Sequence, residues 1–177
     1  IIKFEEHPED LKEGDRLGDY ILHQELGKGG YSKVYKVKHR LQGKYYALKL
    51  FHESVNAKSV IDEYAALVAL NHQNIVKFIW NGETPNGQFY TVMEYLDGES
   101  LSMYTRTDAK LPVYRVFEVA TDMLNALISM QSLDNVIFHR DIKPQNIMVC
   151  VLGGVYDMVK VLDFGLVKDL EHDNGEE

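Results

Sequence analysis

The chain has a single cysteine, Cys150, and therefore cannot close an internal disulfide. That thiol sits in the apolar run Ile147-Met148-Val149-Cys150-Val151, so it reads as a small buried hydrophobe in a reducing compartment, taken as cytoplasmic. No apolar stretch approaches the roughly 20 residues that cross a bilayer, and no secretory leader is visible. Positive charge is in the minority: 19 Lys and Arg against 27 Asp and Glu give a net charge of -8. A face that neutralises nucleic-acid phosphates is therefore not expected. The Gly-Lys-Ser/Thr that opens a helix in P-loop proteins is missing, and so is any internal repeat. The first residue is Ile1 and not Met, so the sequence reads as a piece of a longer protein.

What is present is a composition 45% hydrophobic and 26% charged, enough apolar material for a core of one domain or slightly more. The acidic excess gathers at the two ends and reads there as solvated tails. Residues 1–16 are a polar lead-in. From Leu17 the pattern predicts strands: Tyr20-Ile21-Leu22, a return through Tyr31, Val34, Tyr35 and Val37, then Tyr45 to Phe51. Residues 57–70 change to helical spacing through Val60, Tyr64, Leu67 and Val68, with a weak capping box at Ser59 to Asp62. Strands follow over Ile75 to Trp80 and Gln88 to Glu94, joined by the turn Thr84-Pro85-Asn86-Gly87. Asp97-Gly98-Glu99-Ser100 breaks that pattern. A helix over 112–131 carries an apolar stripe of Val113, Val116, Phe117, Ala120, Leu124, Leu127 and Ile128, which reads as core. Short apolar runs at Val136 to Phe138, Ile147 to Leu152 and Met158 to Leu162 close the chain, the last two parted by Gly153-Gly154 as in a hairpin. The outline is α+β, with a sheet-rich front and a helical rear.

Four elements carry chemistry. Leu26-Gly27-Lys28-Gly29-Gly30-Tyr31-Ser32-Lys33-Val34 is a glycine turn between two strands, where backbone N–H groups reach phosphate oxygens with no side chain in the way. A strand follows it and not a helix, which excludes a dinucleotide-binding turn. Tyr46-Ala47-Leu48-Lys49 places an ammonium in an apolar strand, a costly burial unless a phosphate or carboxylate pairs with it. Glu63, 14 residues on, is the candidate carboxylate; a solvated Lys and a solvated Glu are the plainer alternative. His139-Arg140-Asp141-Ile142-Lys143-Pro144-Gln145-Asn146 is a polar loop between apolar strands. Asp141 is able to accept a hydroxyl proton, Lys143 to neutralise a transferring phosphoryl group, and Asn146 to offer oxygen to a hard cation. Leu162-Asp163-Phe164-Gly165 puts an acid at a strand end, suited to Mg²⁺.

Taken in order, these elements resemble the signature set of the eukaryotic-type (Hanks-type) serine/threonine protein kinases over about Leu17 to Lys168. The resemblance implies a kinase-like fold: a five-stranded antiparallel N-lobe with one helix over 17–93, a hinge at 94–97, and the first part of a helical C-lobe over 98–168. Residues 169–177 are then an acidic tail or the start of an activation segment. It also implies ATP and Mg²⁺ as ligands and a protein substrate. Gly27, Lys28, Gly29 and Gly30 would cover the phosphates, and Lys49, held by Glu63, would contact them. Asp141 and Lys143 would serve the acceptor hydroxyl, while Asn146 and Asp163 would hold the metal. Met93 takes the gatekeeper position before the hinge residues Glu94, Tyr95 and Leu96, whose backbone would bond the adenine edge. Val34, Ala47 and Met148 would sandwich the purine. Leu67, Phe78, His139 and Phe164 match the apolar stack between lobes. Lys143 resembles the serine/threonine class and not the tyrosine class.

Two departures stand out. Ser32 replaces the third lid glycine, for which a modest change in lid flexibility is expected. The sequence ends 12 residues after Gly165, without the Ala-Pro-Glu motif and helical subdomain of a full kinase. Part of the 112–131 helix is then expected to face water unless a partner or a further segment covers it. A nucleotide-binding module without turnover and a small-molecule kinase are the competing functions.

Overall fold

The computed structural model describes residues 11–53, 55, 64, 70–106, 111–132, 139, 141–152 and 155–162. In these, the front of the chain is a six-stranded antiparallel sheet. It contains β1 (Arg16–Leu17), β2 (Tyr20–Lys28), β3 (Ser32–His39), β4 (Tyr45–Phe51), β5 (Phe78–Glu83) and β6 (Phe89–Glu94), in the spatial order β1-β2-β3-β4-β6-β5. One strand more is present than the sequence pattern predicts. The extra strand, β1, has two residues, and Gly18, with φ of 58°, turns it back onto Tyr20 and Ile21.

Alternation along the strands divides the apolar side chains between two cores. Tyr35 and Val37 of β3 join Leu48 and Leu50 of β4, together with Leu17, Leu22, Tyr90 and Val92, on one face. The other face turns Phe51 and Phe78 toward Tyr64, which is helical and buried; of the helix predicted over 57–70 the only other described residue is Leu70, buried in the same core but not helical. Residues 57–63 and 65–69, Glu63 and Leu67 included, lie outside the described residues. The second core continues through Leu96, Ala126, Met130, Cys150 and Val161, and so ties the sheet to the rear of the molecule.

The rear contains β7 (Gly98–Ser100), α1 (Leu101–Arg106), α2 (Val113–Gln131), a 3₁₀ turn at Pro144–Asn146, β8 (Ile147–Leu152) and β9 (Val155–Val161). The small sheet is ordered β7-β8-β9. Within the segment read as a break at Asp97 to Ser100, Gly98–Ser100 form β7. A side chain at Gly98 would run into the Val149 carbonyl and Cys150, so the close β7–β8 approach needs glycine there. Neither β7 nor α1 carries enough residues to display a period.

Two further expectations are corrected. The strand predicted over Ile75 to Trp80 begins at Phe78. Ile75 and Val76 are apolar because they are buried against β9, where Ile75 bridges Val161 and Val76 N–H donates to the Val161 carbonyl at 2.9 Å. The predicted stripe of α2 is also not core. Val113, Val116, Phe117, Ala120, Leu124 and Ile128 are exposed, Phe117 at 70%, while Val119, Ala126 and Met130 are buried and Met123 and Leu127 partly so. The helix has apolar residues on both sides, and β9 packs on the narrower one. The open face is the one expected to lack cover.

Candidate active site

Below the glycine turn, between the large sheet and the small one, lies a cavity of about 550 Å³. Its roof is Leu26, Gly27, Lys28 and Gly29 with Ser32 and Val34. Ala47 and Lys49 of β4 form one wall, and Met93, Glu94, Tyr95 and Leu96 form the back. Gly98, Gln145, Asn146, Met148 and Leu162 make the floor, and Tyr64, Val76 and Phe78 close the deep end. Of the predicted residues, Gly30 does not line the cavity, and Asp141 and Lys143 stand beside it through Asn146. Glu63 and Asp163 lie outside the described residues, as do Arg140 and Phe164.

The roof follows from strand register. β2 and β3 pair from Tyr20 with His39 down to Lys28 with Lys33, so residues 29–31 make the reversal. Gly29 N–H donates to the Ser32 carbonyl at 2.8 Å and closes the turn. Val34 stands opposite Lys49, and Lys36 opposite Ala47. Lys49 is 6% exposed, with its Nζ 5.2 Å from the centre of the Phe51 ring.

The loop after His139 is knitted to itself. His139 is buried; its Nδ1 accepts from Asp141 N–H at 3.3 Å, which leaves Nε2 to donate to the Leu162 carbonyl at 2.8 Å. Lys143 Nζ lies 2.7 Å from Asp141 Oδ2, and Asn146 Nδ2 donates to the same oxygen and to the Asp141 carbonyl, each at 2.9 Å. With its amide nitrogen so used, Asn146 Oδ1 has no partner among the described residues. A hard oxygen donor at the cavity floor fits Mg²⁺.

The segment from Glu94 to Leu96 is tied from both sides. Behind it, buried Lys160 reaches Glu94 Oε1 at 2.6 Å and the Ile75 carbonyl at 3.3 Å, and Lys77 N–H donates to the same Glu94 oxygen at 2.9 Å. In front, Lys36 Nζ stands 4.2 Å from the Tyr95 ring centre and 4.7 Å from that of Tyr45. None of these ties was foreseen, since Lys160 and Lys36 sit in unremarkable alternating strands. Cys150, the buried thiol, donates to the Met158 carbonyl at 3.2 Å, and burial pushes its pKa up, which keeps it unreactive. Among the described residues no helix is long and apolar enough to cross a membrane.

Comparison with known proteins gives this geometry a lineage. The family described as the protein kinase domain matches residues 20–176. Serine/threonine-protein kinase ATG1c of Arabidopsis thaliana is 31% identical over 162 residues, which are 89% of this chain and 22% of that protein. The probable serine/threonine-protein kinase PknB of Lactococcus lactis is 34% identical over 157 residues, 85% of this chain and 24% of its own. Among solved structures, the kinase domain of PknI from Mycobacterium tuberculosis superposes with a TM-score of 0.71 at 26% identity, over 88% of this chain and 63% of that one. Rad53 in complex with AMP-PNP gives 0.73 at 29%, over 84% and 38%. The chain thus spans about a quarter of the length of the curated relatives it matches.

Proposed function

The chain belongs to the protein kinase family, and from that premise we propose that it is the ATP-handling part of a serine/threonine protein kinase, acting on a protein hydroxyl with Mg²⁺. The observation that carries this reading is the single cavity onto which the glycine turn, Lys49, the hinge, Met148 and Asn146 converge from distant parts of the sequence.

In this reading Val34 and Ala47 from above and Met148 from below hold the purine, and the backbone of Glu94 and Leu96 meets its edge. Met93 limits the depth of the purine site. The amides of Gly27 to Gly30 and the ammonium of Lys49, oriented by Glu63, bind the phosphates. Asn146 and Asp163 would hold Mg²⁺, which when bound supplies positive charge to the phosphate oxygens. Asp141 accepts the proton of the acceptor hydroxyl as the new O–P bond forms and the bond from the γ-phosphorus to the β-phosphate oxygen breaks. Lys143, at 2.7 Å from Asp141, sits where negative charge gathers. The lone buried thiol supports a reducing, cytoplasmic setting.

Labelled ATP with Mg²⁺ and a generic protein substrate tests the reading: label transfer is expected, and transfer that survives both Asp141→Asn and Asp163→Asn would sink it. The competing reading is a nucleotide-binding module without turnover. Stabilisation by MgATP with no transfer would select it.

A further inference from the structure

We propose that Ser32 is a phosphate-binding residue of the nucleotide site: its hydroxyl donates a hydrogen bond to an oxygen of the terminal phosphates of ATP. The proposal rests on the nucleotide reading above and assigns a contact at a position where the kinase pattern has a glycine without a side chain.

Four observations converge on it. Alternation along β3 puts Ser32 on the same face as Val34, and both line the cavity, while Tyr35 and Val37 turn into the opposite core. Ser32 pairs with Phe51, the position two beyond Lys49 on β4, so it stands about 7 Å farther from the hinge than Val34 at the usual strand rise. A purine under Val34 therefore brings its phosphate tail toward Ser32. The residue is held in place, since its carbonyl accepts from Gly29 N–H at 2.8 Å and its Oγ lies 4.0 Å from where a side chain on Gly29 would begin. Its own hydroxyl has no partner among the described residues, although the residue is only 9% exposed. The oxygen is not shut away from water, so it opens onto the cavity and is free to donate to a ligand there. Beside Lys28, Gly29 and Lys49, the group suited to that is an anionic oxygen.

Affinities of the chain for MgATP, MgADP and adenosine, by titration calorimetry, test the proposal with the wild type, Ser32→Ala, Ser32→Gly and Ser32→Thr. Ser32→Ala and Ser32→Gly are expected to bind MgATP roughly tenfold more weakly, to bind adenosine as the wild type does, and to melt unliganded at the same temperature. Ser32→Thr, which keeps the hydroxyl, is expected to retain most of the MgATP affinity. Unchanged MgATP binding by Ser32→Ala overturns the proposal. So does an equal loss for adenosine, which would mean that Ser32 only shapes the lid. A wild type that binds neither nucleotide nor adenosine removes the nucleotide reading itself, and the proposal with it; binding by the wild type with no effect of Ser32→Ala removes the proposal alone.

Discussion

Glu94 and Lys160, 66 residues apart in the sequence, meet at 2.6 Å behind the segment that joins the two sheets. Lys160 is 8% exposed at its side chain and Glu94 22%, so the pair is nearly dry. A charge left alone in such a place is far more costly than the intact pair is worth.

Lys160→Met strands the Glu94 carboxylate. A loss of about 3 kcal/mol in unfolding free energy is expected by urea denaturation, and the double change with Glu94→Gln should return much of it. A single variant as stable as the wild type would show that the pair is solvated.

Tyr35 is buried, and its hydroxyl has no partner. Tyr35→Phe should therefore stabilise the fold by about 1 kcal/mol at neutral pH. Burial, and then Glu25, hold the Tyr35 pKa above 10.0. A group whose charged form the fold resists costs stability as pH rises past its unfolded value. The advantage of Phe should thus widen above pH 10, as thermal melts across that range would read.

Asp122 on α2 has its pKa raised, first by burial and then by Glu118, with Arg115, Asn74 and His72 acting the other way. The penalty on its carboxylate is complete at neutral pH and gone below the unfolded value of 3.8. Asp122→Asn is expected to be more stable than wild type at pH 7, by an amount that shrinks on acidification toward that value. A gap that grows on acidification would contradict the assignment.

Lys49→Met replaces a buried ammonium with an apolar chain of similar length. Affinity for MgATP should fall at least tenfold, while affinity for adenosine stays close to that of the wild type. An equal loss for adenosine would mean that Lys49 shapes the cavity and does not meet the phosphates.

Phe117 is 70% exposed on the open face of α2. In this chain Phe117→Lys should change unfolding free energy by no more than about 0.5 kcal/mol and lower self-association in sedimentation experiments. A loss of several kcal/mol would show the face to be packed.

Most of the front sheet was legible because its signals are local. β4 was read as Tyr45 to Phe51, its observed span, since Gly43 marks the preceding turn and the run is mostly aromatic and aliphatic. β8 was legible for the same reason. The span of α2 was also right within a residue, but its buried face was not. Val119, Ala126 and Met130 compete with a longer, more hydrophobic stripe, and nothing local says which side β9 will meet. β7 and α1 escaped notice because three and six residues are too few to show a period.

The sequence by itself determined the family, through motifs whose glycines, acids and lysine stand at intervals set by strand, turn and loop geometry. It also determined which strands alternate and where the phosphate-facing turn falls. Tertiary structure alone decided that Ser32 looks into the cavity, that Lys160 finds Glu94, and that the larger apolar stripe of α2 is left open. Each of these depends on the register of one strand against another, or on which element packs against which. Such contacts join residues tens of positions apart, and pattern along the chain holds no record of them.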